Sequence, residues 1–207
     1  MSTDLGFIHR FDPGESGESR ALLMLHGTGG DETEIMALGQ AIAPGFARLA
    51  PRGKSPEGGA NRFFRRLAEG VFDIEDLKAR AQELADFVVR ATESYGIDRS
   101  KLTAVGYSNG ANIASALLLL RPEVCTGAIL FRPVVPFEPD DKVDLRGHRI
   151  LALSGAMDPL APPAHLVRLE ALFTERGAKF TEAVVPASHG LTRTDLETAR
   201  AWLDSSP

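Results

Sequence analysis

The sequence of 207 residues contains little cysteine, no excess of basic charge and no long hydrophobic run. Its single cysteine, Cys125, excludes a disulfide within the chain and a metal cluster held by cysteines, and we expect it to be a small buried hydrophobic residue. The formal net charge of −5 argues against a general nucleic-acid-binding protein, because such proteins normally carry a basic excess. No H-E-x-x-H motif and no other tight cluster of histidine and carboxylate residues is present, so we expect neither a catalytic metal nor another cofactor.

The lack of long apolar segments bears on where the protein acts. The longest apolar stretch, residues 114–120, is far too short to span a bilayer, so we expect no membrane association. The N-terminal residues MSTDLGFIHRFDPG lack the basic start and apolar run of a signal peptide, and a cytoplasmic enzyme is therefore the expectation. A hydrophobic content of 43% and a charged content of 25% are ordinary for a globular protein, and the length suits one domain, residues 1–207.

Short apolar runs alternate with longer segments of helical periodicity along the chain. The predicted strands are residues 21–25, 46–50, 102–107, 128–131, 150–153 and 180–185, with residues 7–11 as a further edge strand. The predicted helices are residues 73–95, 111–120, 163–176 and 191–203. This alternation predicts an α/β fold with a mostly parallel central sheet and helices on both faces. Residues 52–70 form the one long loop-like stretch, and loops of this length are often functional.

The strongest chemical signal is the segment GYSNG, residues 106–110, which fits the G-x-S-x-G motif. A predicted strand precedes it and a predicted helix follows it, which is the context in which a serine sits on a sharp turn with its hydroxyl above the sheet. The glycines two residues to either side of Ser108 relieve the crowding of such a turn. We therefore interpret Ser108 as a nucleophile; the alternative is a tight turn with an idle serine.

A serine hydroxyl needs a base to remove its proton, and the sequence offers five histidines. Four of them are poorly placed, lying respectively on an edge strand, before a strand, in a predicted helix and before a glycine-rich turn: His9, His148, His165 and His26. His189 lies between the last predicted strand and the last predicted helix, at the same edge of the sheet as Ser108. It is the predicted general base, against the alternative of a structural histidine.

The base in turn needs a carboxylate that fixes its tautomer and stabilises the imidazolium. Asp158, in the segment SGAMDP, follows a predicted strand and so lies where catalytic groups gather in open α/β sheets. Asp140, Asp141 and Asp144 precede that strand and belong to the opposite rim. The chain order serine, aspartate, histidine is that of the α/β-hydrolases, and it favours Asp158 as the orienting acid over a simple Asp-Pro turn.

The segment HGTGGDE after the first buried strand indicates a loop whose backbone N–H groups turn inward, towards a developing oxyanion. The expected donors are the N–H groups of Thr28 and of Asn109, the residue after the nucleophile. The competing interpretation is a phosphate-binding turn, because Gly27-x-Gly29 begins like a dinucleotide fingerprint. Glu32 occupies the third glycine position, however, and no G-x-x-x-x-G-K-[ST] motif occurs, which argues against nucleotide binding.

Four segments, HGTGGDE, GYSNGA, SGAMDP and SHGL, occur in this order, and together they resemble the bacterial carboxylesterase/phospholipase family of α/β-hydrolases, which is related to the acyl-protein thioesterases. Residues 62–73, RFFRRLAEGVFD, resemble the branch described as esterases linked to hydroquinone and quinone stress. The resemblance covers residues 22–203. It implies an α/β-hydrolase fold, a frequent homodimer, a catalytic triad and an oxyanion hole, whose residues here are Ser108, Asp158, His189, Thr28 and Asn109.

The sequence departs from the acyl-protein thioesterases at two of these positions. Those enzymes usually have glutamine after the nucleophile and leucine in the oxyanion loop, where this chain has Asn109 and Thr28. The departure argues against a lipidated-protein substrate.

Only about 18 residues separate the predicted strands 128–131 and 150–153, where larger relatives insert a cap domain, so we expect no cap and an open, shallow site. Phe63 and Phe64 lie in the long loop-like stretch and are candidate substrate-binding residues on the acyl side, or else core residues beneath the loop. The arginines around them either attract anionic substrates or form a solvated face: Arg62, Arg65 and Arg66.

These features predict a serine hydrolase that cleaves carboxylic esters or thioesters of small to medium acyl compounds through an acyl-serine intermediate. The expected partner is therefore a small-molecule ester. The alternatives among enzymes are a lysophospholipase, an acyl-protein thioesterase or a C–C bond hydrolase on the same scaffold. The alternative outside enzymes is a binding module with a relic triad.

Overall fold

The described part of the chain, residues 5–139 and 143–205 of a computed structural model, alternates between strands and helices. The strands are β1 His9–Asp12, β2 Ala21–Leu25, β3 Ala47–Pro51, β4 Arg66–Ala68, β5 Val71–Phe72, β6 Leu102–Tyr107, β7 Gly127–Phe131, β8 Arg149–Gly155 and β9 Lys179–Val185. The α-helices are α1 Glu34–Ile42, α2 Ile74–Tyr95, α3 Asn109–Leu120, α4 Ala164–Thr174 and α5 Arg193–Asp204.

The main sheet has seven strands in the order β1-β3-β2-β6-β7-β8-β9. Strand β1 runs antiparallel to β3, and all the other neighbouring pairs are parallel. Every residue of β2 and of β7 is buried, as expected of central strands that are covered on both faces. The prediction of an α/β fold with a mostly parallel sheet is confirmed.

Helices cover both faces of this sheet, and each face has its own hydrophobic core. On one face α2, α3 and α4 pack through apolar side chains such as Phe87, Ile113 and Leu169. On the other face α1 and α5 pack through Ile35 and Ala199. Because the parallel strands all point the same way, the loops that follow β2, β6, β7, β8 and β9 meet at one edge of the sheet, where ligand sites of such folds form.

Two elements differ from the sequence-based prediction. Helix α1 was not predicted, because it has only nine residues and contains Gly39, which lowers helix propensity. Gly39 is there for packing: a Cβ at this position would press on the side chains of Arg48 and Met24. The stretch 52–70 was predicted as loop, but its end folds into a small hairpin of β4 and β5.

Two further expectations concern a cap domain between β7 and β8 and a helix that could span a membrane. The described residues between β7 and β8 form no helix or strand, consistent with a site that has no cap domain. Within residues 5–139 and 143–205, no helix is both long enough and apolar enough to cross a bilayer.

Candidate active site

Ser108 sits on a sharp turn between β6 and α3. Its backbone lies in the left-handed region with φ of 54°, and its N–H donates to the carbonyl of Phe131 at the end of the neighbouring strand (2.9 Å). A Cβ on Gly106 would run into the backbone of Gly110, and a Cβ on Gly110 would run into the carbonyl of Leu25. The two glycines therefore allow the close approach that the strained turn needs, as the motif predicts.

His189 and Asp158 complete a hydrogen-bonded chain with Ser108. His189 Nε2 lies 3.0 Å from Ser108 Oγ, and His189 Nδ1 lies 2.8 Å from Asp158 Oδ2. A carboxylate can only accept, so Nδ1 carries the proton and Nε2 is free to accept from the serine hydroxyl. The three residues come from the loops after β6, β8 and β9, and the structure brings them together at the edge of the sheet where the sequence predicts them.

Asp158 is buried and its carboxylate is fully engaged. Its second oxygen accepts hydrogen bonds from the N–H groups of Leu160 (2.9 Å) and Ala161 (3.1 Å). Burial alone would raise the pKa of this carboxyl, but the hydrogen bonds from His189 and the two amides outweigh it, and the pKa is lowered. Asp158 is therefore ionised at neutral pH and able to hold the histidine in one tautomer.

Close backbone approach lets the loop of His189 reach Asp158. A Cβ on Gly155, at the end of β8, would collide with the carbonyls of Ala187 and Ser188. Tyr107 also holds this loop, because its hydroxyl donates to the carbonyl of His189 (3.2 Å). Neither contact was predicted from the sequence, because both join segments that are far apart along the chain.

The rejected candidates lie elsewhere, with one exception. His165 lies in the first turn of α4 and is exposed, as predicted, but it also lines the cleft in front of Ser108. Asp144 forms a surface ion pair with Arg146. Asp140 and Asp141 lie outside the described residues.

His26 anchors the glycine-rich loop after β2. Its Nδ1–H donates to the carbonyl of Gly27 (2.7 Å), and its Nε2 accepts from the N–H of Gly53 (2.9 Å). Burial lowers the pKa of His26, which keeps the ring neutral in this arrangement. His26 thus ties the loop to the segment after β3 rather than acting on a substrate.

The N–H groups of Thr28 and Asn109 belong to two segments that flank Ser108, and both residues line the cleft. Within the described residues neither N–H has a hydrogen-bond partner, and the first N–H groups of a helix such as α3 have none within the helix. Such a pair of free donors is able to bind an oxyanion. Two contacts hold the loop in place: Arg62 Nη1 donates to Thr28 Oγ1 (2.6 Å), and the N–H of Gly29 donates to the carbonyl of Asn61 (2.9 Å).

The cleft above Ser108 has a volume of about 680 Å³ and is open to solvent. Its apolar lining comes from the β4–β5 hairpin and from the loops after β7 and β8, and the residues of this apolar wall include Val71, Phe72, Val134, Val135 and Leu160. Arg62, Arg66 and Arg132 are also among the residues that line it.

The expectation that Phe63 and Phe64 wall the acyl side differs from what the structure shows. They are 3% and 0% exposed and belong to the hydrophobic core beneath the loop. Phe72 takes the place in the wall, and it packs edge-on against Phe64 with ring centroids 5.0 Å apart. The physical reason is that two adjacent phenylalanines in a long segment gain more by burial in the core than by exposure in an open cleft.

The chain matches the dienelactone hydrolase family over residues 11–204. It belongs to this family. This member of the family is 40% identical over 194 residues to MhqD of Bacillus subtilis (strain 168), a protein named as a putative hydrolase, and the match covers 94% of this chain and 96% of MhqD.

Solved structures place the same chain among carboxylesterases. The Bacillus cereus carboxylesterase matches with a TM-score of 0.92 and 38% identity, over 96% of this chain and 94% of that one. The carboxylesterase from Mesorhizobium loti matches with a TM-score of 0.92 and 32% identity, over 99% and 97% of the two chains. The predicted α/β-hydrolase fold and the resemblance to bacterial carboxylesterases are confirmed, and the chain is an esterase-type enzyme.

Three residues of this dienelactone hydrolase family member were not predicted as parts of the site. Phe72 was named only within residues 62–73 and Tyr107 only as the second residue of GYSNG, whereas Arg132 belonged to no predicted motif. The FRP segment at 131–133, immediately after a buried strand, was a usable signal, because the carboxyl ends of the parallel strands converge on the site. No cluster of three metal-ligating side chains occurs in the part of the chain that the structure describes.

Proposed function

We propose that this esterase hydrolyses carboxylic esters of small to medium acyl compounds, thioesters included, through an acyl-Ser108 intermediate. The observation that carries the proposal is the continuous chain from Ser108 Oγ to His189 Nε2 (3.0 Å) and from His189 Nδ1 to Asp158 Oδ2 (2.8 Å). Distances of this kind are those at which a base accepts a serine proton as the hydroxyl attacks.

In the first half of the reaction, Ser108 Oγ attacks the carbonyl carbon while its proton passes to His189 Nε2. The carbonyl π electrons move to the oxygen, which accepts hydrogen bonds from the N–H groups of Thr28 and Asn109. The tetrahedral intermediate then collapses, the bond to the alcohol oxygen breaks, and His189 gives its proton to that oxygen. The alcohol leaves and the acyl group stays on Ser108.

In the second half, a water molecule attacks the acyl carbon and gives its proton to His189 Nε2. The bond to Ser108 Oγ breaks, the serine regains the proton, and the carboxylic acid leaves. Asp158 remains ionised throughout, because it accepts from two backbone amides as well as from His189.

The shape of the cleft supports small to medium substrates. It is open, and arginine residues line it as well as apolar ones. Each methylene that leaves water contributes about 0.8 kcal/mol only while apolar wall remains to cover it. A long acyl chain would extend beyond Val71 and Phe72 into solvent.

The test is Ser108→Ala, assayed on p-nitrophenyl esters from acetate to palmitate and with an active-site fluorophosphonate. We expect a folded protein that does not label and whose kcat falls by about 10⁴-fold or more, as for the loss of other triad nucleophiles. Ser115→Ala is a matched control, because Ser115 is buried in α3, the helix that follows Ser108, and its hydroxyl donates to the carbonyl of Ala111.

Substantial turnover by folded Ser108→Ala would refute the serine mechanism. Wild-type protein that labels but cleaves only phospholipids or ring-cleavage products would replace the proposed substrate class with one of the alternatives on this scaffold. Failure of the wild type to label would favour a binding module.

A further inference from the structure

Arg132 is the largest fully buried polar side chain at the edge of the sheet where the site lies. It follows β7 directly, has a left-handed φ of 56°, and its N–H donates to the carbonyl of Leu153 on β8 (2.7 Å). Its side chain is 0% exposed. A non-glycine residue in this strained conformation, carrying a buried charge, marks a position where the surroundings impose the geometry.

The guanidinium of Arg132 holds the backbone on both sides of His189. Nε donates to the carbonyl of Ser188 (3.1 Å), and Nη2 donates to the carbonyl of Gly190 (2.9 Å). These are the residues immediately before and after the histidine. A planar group with donors in a fixed fork can hold two carbonyls at once, so it restricts how the loop between them rotates.

The charge of Arg132 is neutralised by Asp195, which is also 0% exposed. The two make a bidentate pair, from Nη1 to Oδ1 (2.8 Å) and from Nη2 to Oδ2 (2.9 Å). Asp195 Oδ2 further accepts from the N–H of Thr192 (2.7 Å), which closes the capping box of α5. The loop of His189 is therefore fixed between Arg132 and the start of α5.

The same turn also reaches the nucleophile. The residue before Arg132 is Phe131, whose carbonyl accepts the N–H of Ser108 (2.9 Å). Two adjacent residues at the end of β7 thus hold the backbones of both Ser108 and the loop of His189, one through a main-chain carbonyl and the other through a side chain. The separation of Ser108 Oγ from His189 Nε2 depends on this shared support.

We propose that Arg132 is a positioning residue of the esterase reaction, which keeps His189 Nε2 within reach of Ser108 by holding the carbonyls of Ser188 and Gly190. The inference rests on the proposed function. Arg132 acts on the reaction only through the position of His189. A misplacement of about 1 Å between reacting groups can cost about 10²-fold in rate. Neutralisation by Asp195 means that the effect is one of geometry and not of charge on the substrate.

The experiment compares Arg132→Met/Asp195→Asn with Arg132→Lys. The double variant removes both buried charges together, and the introduced asparagine leaves no unpaired carboxylate in the interior. Arg132→Lys keeps a positive charge beside Asp195. An ammonium group lacks the planar fork of donors, however, so it cannot hold both carbonyls at once. The readouts are kcat, KM, the rate of fluorophosphonate labelling and the NMR signal of the His189 Nδ1 proton.

The matched control is Arg48→Met on β3. Arg48 is likewise buried and donates to two carbonyls, those of Ala43 and Pro44, and to Asp12. Its strand lies between β1 and β2, and its side chain is not among those that line the cleft. Arg48→Met thus removes a buried guanidinium that donates to backbone carbonyls, without touching the loop of His189, although its partner Asp12 is half-exposed and the loss of stability should be smaller.

We expect kcat and the labelling rate to fall by about 10²-fold in both Arg132 variants, with KM within about twofold and the Nδ1 proton signal shifted or broadened. Arg48→Met should keep kcat within about twofold when assayed below its Tm. Should the double variant not fold, Arg132→Lys decides the question by the same readouts.

Folded Arg132 variants with kcat within about twofold of wild type would overturn the inference, as would an equal loss in Arg48→Met. This result is distinguishable from failure of the proposed function. If Ser108→Ala is inactive while the Arg132 variants are fully active, only the positioning role fails; if Ser108→Ala is active, the triad itself fails.

Discussion

Two buried arginines support different parts of the site, Arg132 the loop of His189 on the triad side and Arg62 the loop of Thr28 on the oxyanion side, and their ion pairs differ. Arg132 faces Asp195, and both side chains are 0% exposed. Burial would raise the pKa of Asp195, but the hydrogen bonds from Arg132 and Thr192 outweigh it, so the pKa is lowered. The pair is therefore ionised and sealed from water.

Arg62 is almost as buried, at 4% exposed, but its carboxylate partner Glu57 is 40% exposed. Glu57 lies 3.3 Å from Arg62 Nε and also accepts from Arg66 Nε at 2.8 Å, so one carboxylate serves two guanidinium groups. Burial and the charge of Arg66 lower the pKa of Arg62, and the attraction of Glu57 offsets them only in part. On the oxyanion side, therefore, a buried guanidinium is paired with a carboxylate that is exposed to solvent.

The difference separates two ways of organising a catalytic site. A fully desolvated ion pair loses much when one partner is removed, because the other charge is left buried, whereas an ion pair with an exposed partner is screened by water. On the triad side, therefore, we expect the loss of one partner of the ion pair to lower the free energy of unfolding strongly. The loop on the oxyanion side is held by separate hydrogen bonds from Arg62 and Asn61 and, through His26, from Gly53, so we expect it to tolerate the loss of one of them better.

The largest expected effect is a difference in kcat between a variant on the triad side and a variant on the oxyanion side. Asp158→Asn should keep the fold but lower kcat by about 10⁴-fold at neutral pH, because the amide favours the wrong tautomer of His189. Thr28→Val, on the other side, removes the oxygen that accepts from Arg62 but keeps the backbone N–H that would bind the oxyanion. We expect a loss in kcat of no more than about tenfold for it.

Steady-state kinetics on p-nitrophenyl acetate measure both variants, with circular dichroism as the check on folding. A loss below about tenfold in Asp158→Asn would contradict the assignment of Asp158 as the orienting acid. A loss in Thr28→Val as large as that in Asp158→Asn would show that the oxyanion side is as sensitive as the triad side.

The next effect is a difference in stability between variants that remove the carboxylate partner of Arg132 and that of Arg62. Asp195→Ala leaves Arg132 buried without its carboxylate, and we expect a loss of about 3–5 kcal/mol in the free energy of unfolding. For a chain of this size that is a fall in Tm of about 6–20 °C. Glu57→Ala should keep Tm within about 2 °C, because its carboxylate is exposed to solvent.

The pH dependence of the same pair has a definite sign. The folded pKa of Asp195 is lowered, so its stabilising contribution is complete above the unfolded value of about 3.9 and is lost as pH falls through the folded pKa. The free energy of unfolding, measured with urea at a series of pH values, should therefore fall less steeply in acid for Asp195→Asn than for the wild type. Equal slopes would mean that folding does not lower the pKa of Asp195.

The smallest expected effect concerns the apolar wall of the cleft. Phe72→Ala should lower kcat/KM by a few-fold on butyrate and hexanoate esters and hardly at all on acetate, since a buried methylene contributes about 0.8 kcal/mol. Phe64→Ala is the contrasting variant, because Phe64 is in the core and its loss should cost about 3–5 kcal/mol of stability. If Phe64→Ala changed chain-length preference while Phe72→Ala did not, the wall would be assigned to the wrong residue.

Local patterns predicted most of the framework of this esterase. The alternation of apolar runs and helical segments gives the order and type of the main strands, because a strand covered on both faces must be apolar throughout. The segments GYSNG, SGAMDP and SHGL predicted which loops carry Ser108, Asp158 and His189, since parallel strands bring their carboxyl ends to one edge. The catalytic roles of these residues remain predictions, as does a cytoplasmic location.

Tertiary packing decided what such patterns do not contain. Phe63 and Phe64 are core residues and Phe72 lines the cleft, although all three are phenylalanines of one segment, and only the packing of that segment in the fold distinguishes them. Arg132 meets Ser188 across 56 positions of the chain, and Arg62 meets Thr28 across 34. Turn chemistry and periodicity act over a few residues, so they determine strands, helices and sharp turns. Burial and charge pairing depend on which distant segments the sheet brings together, and only the folded structure decides them.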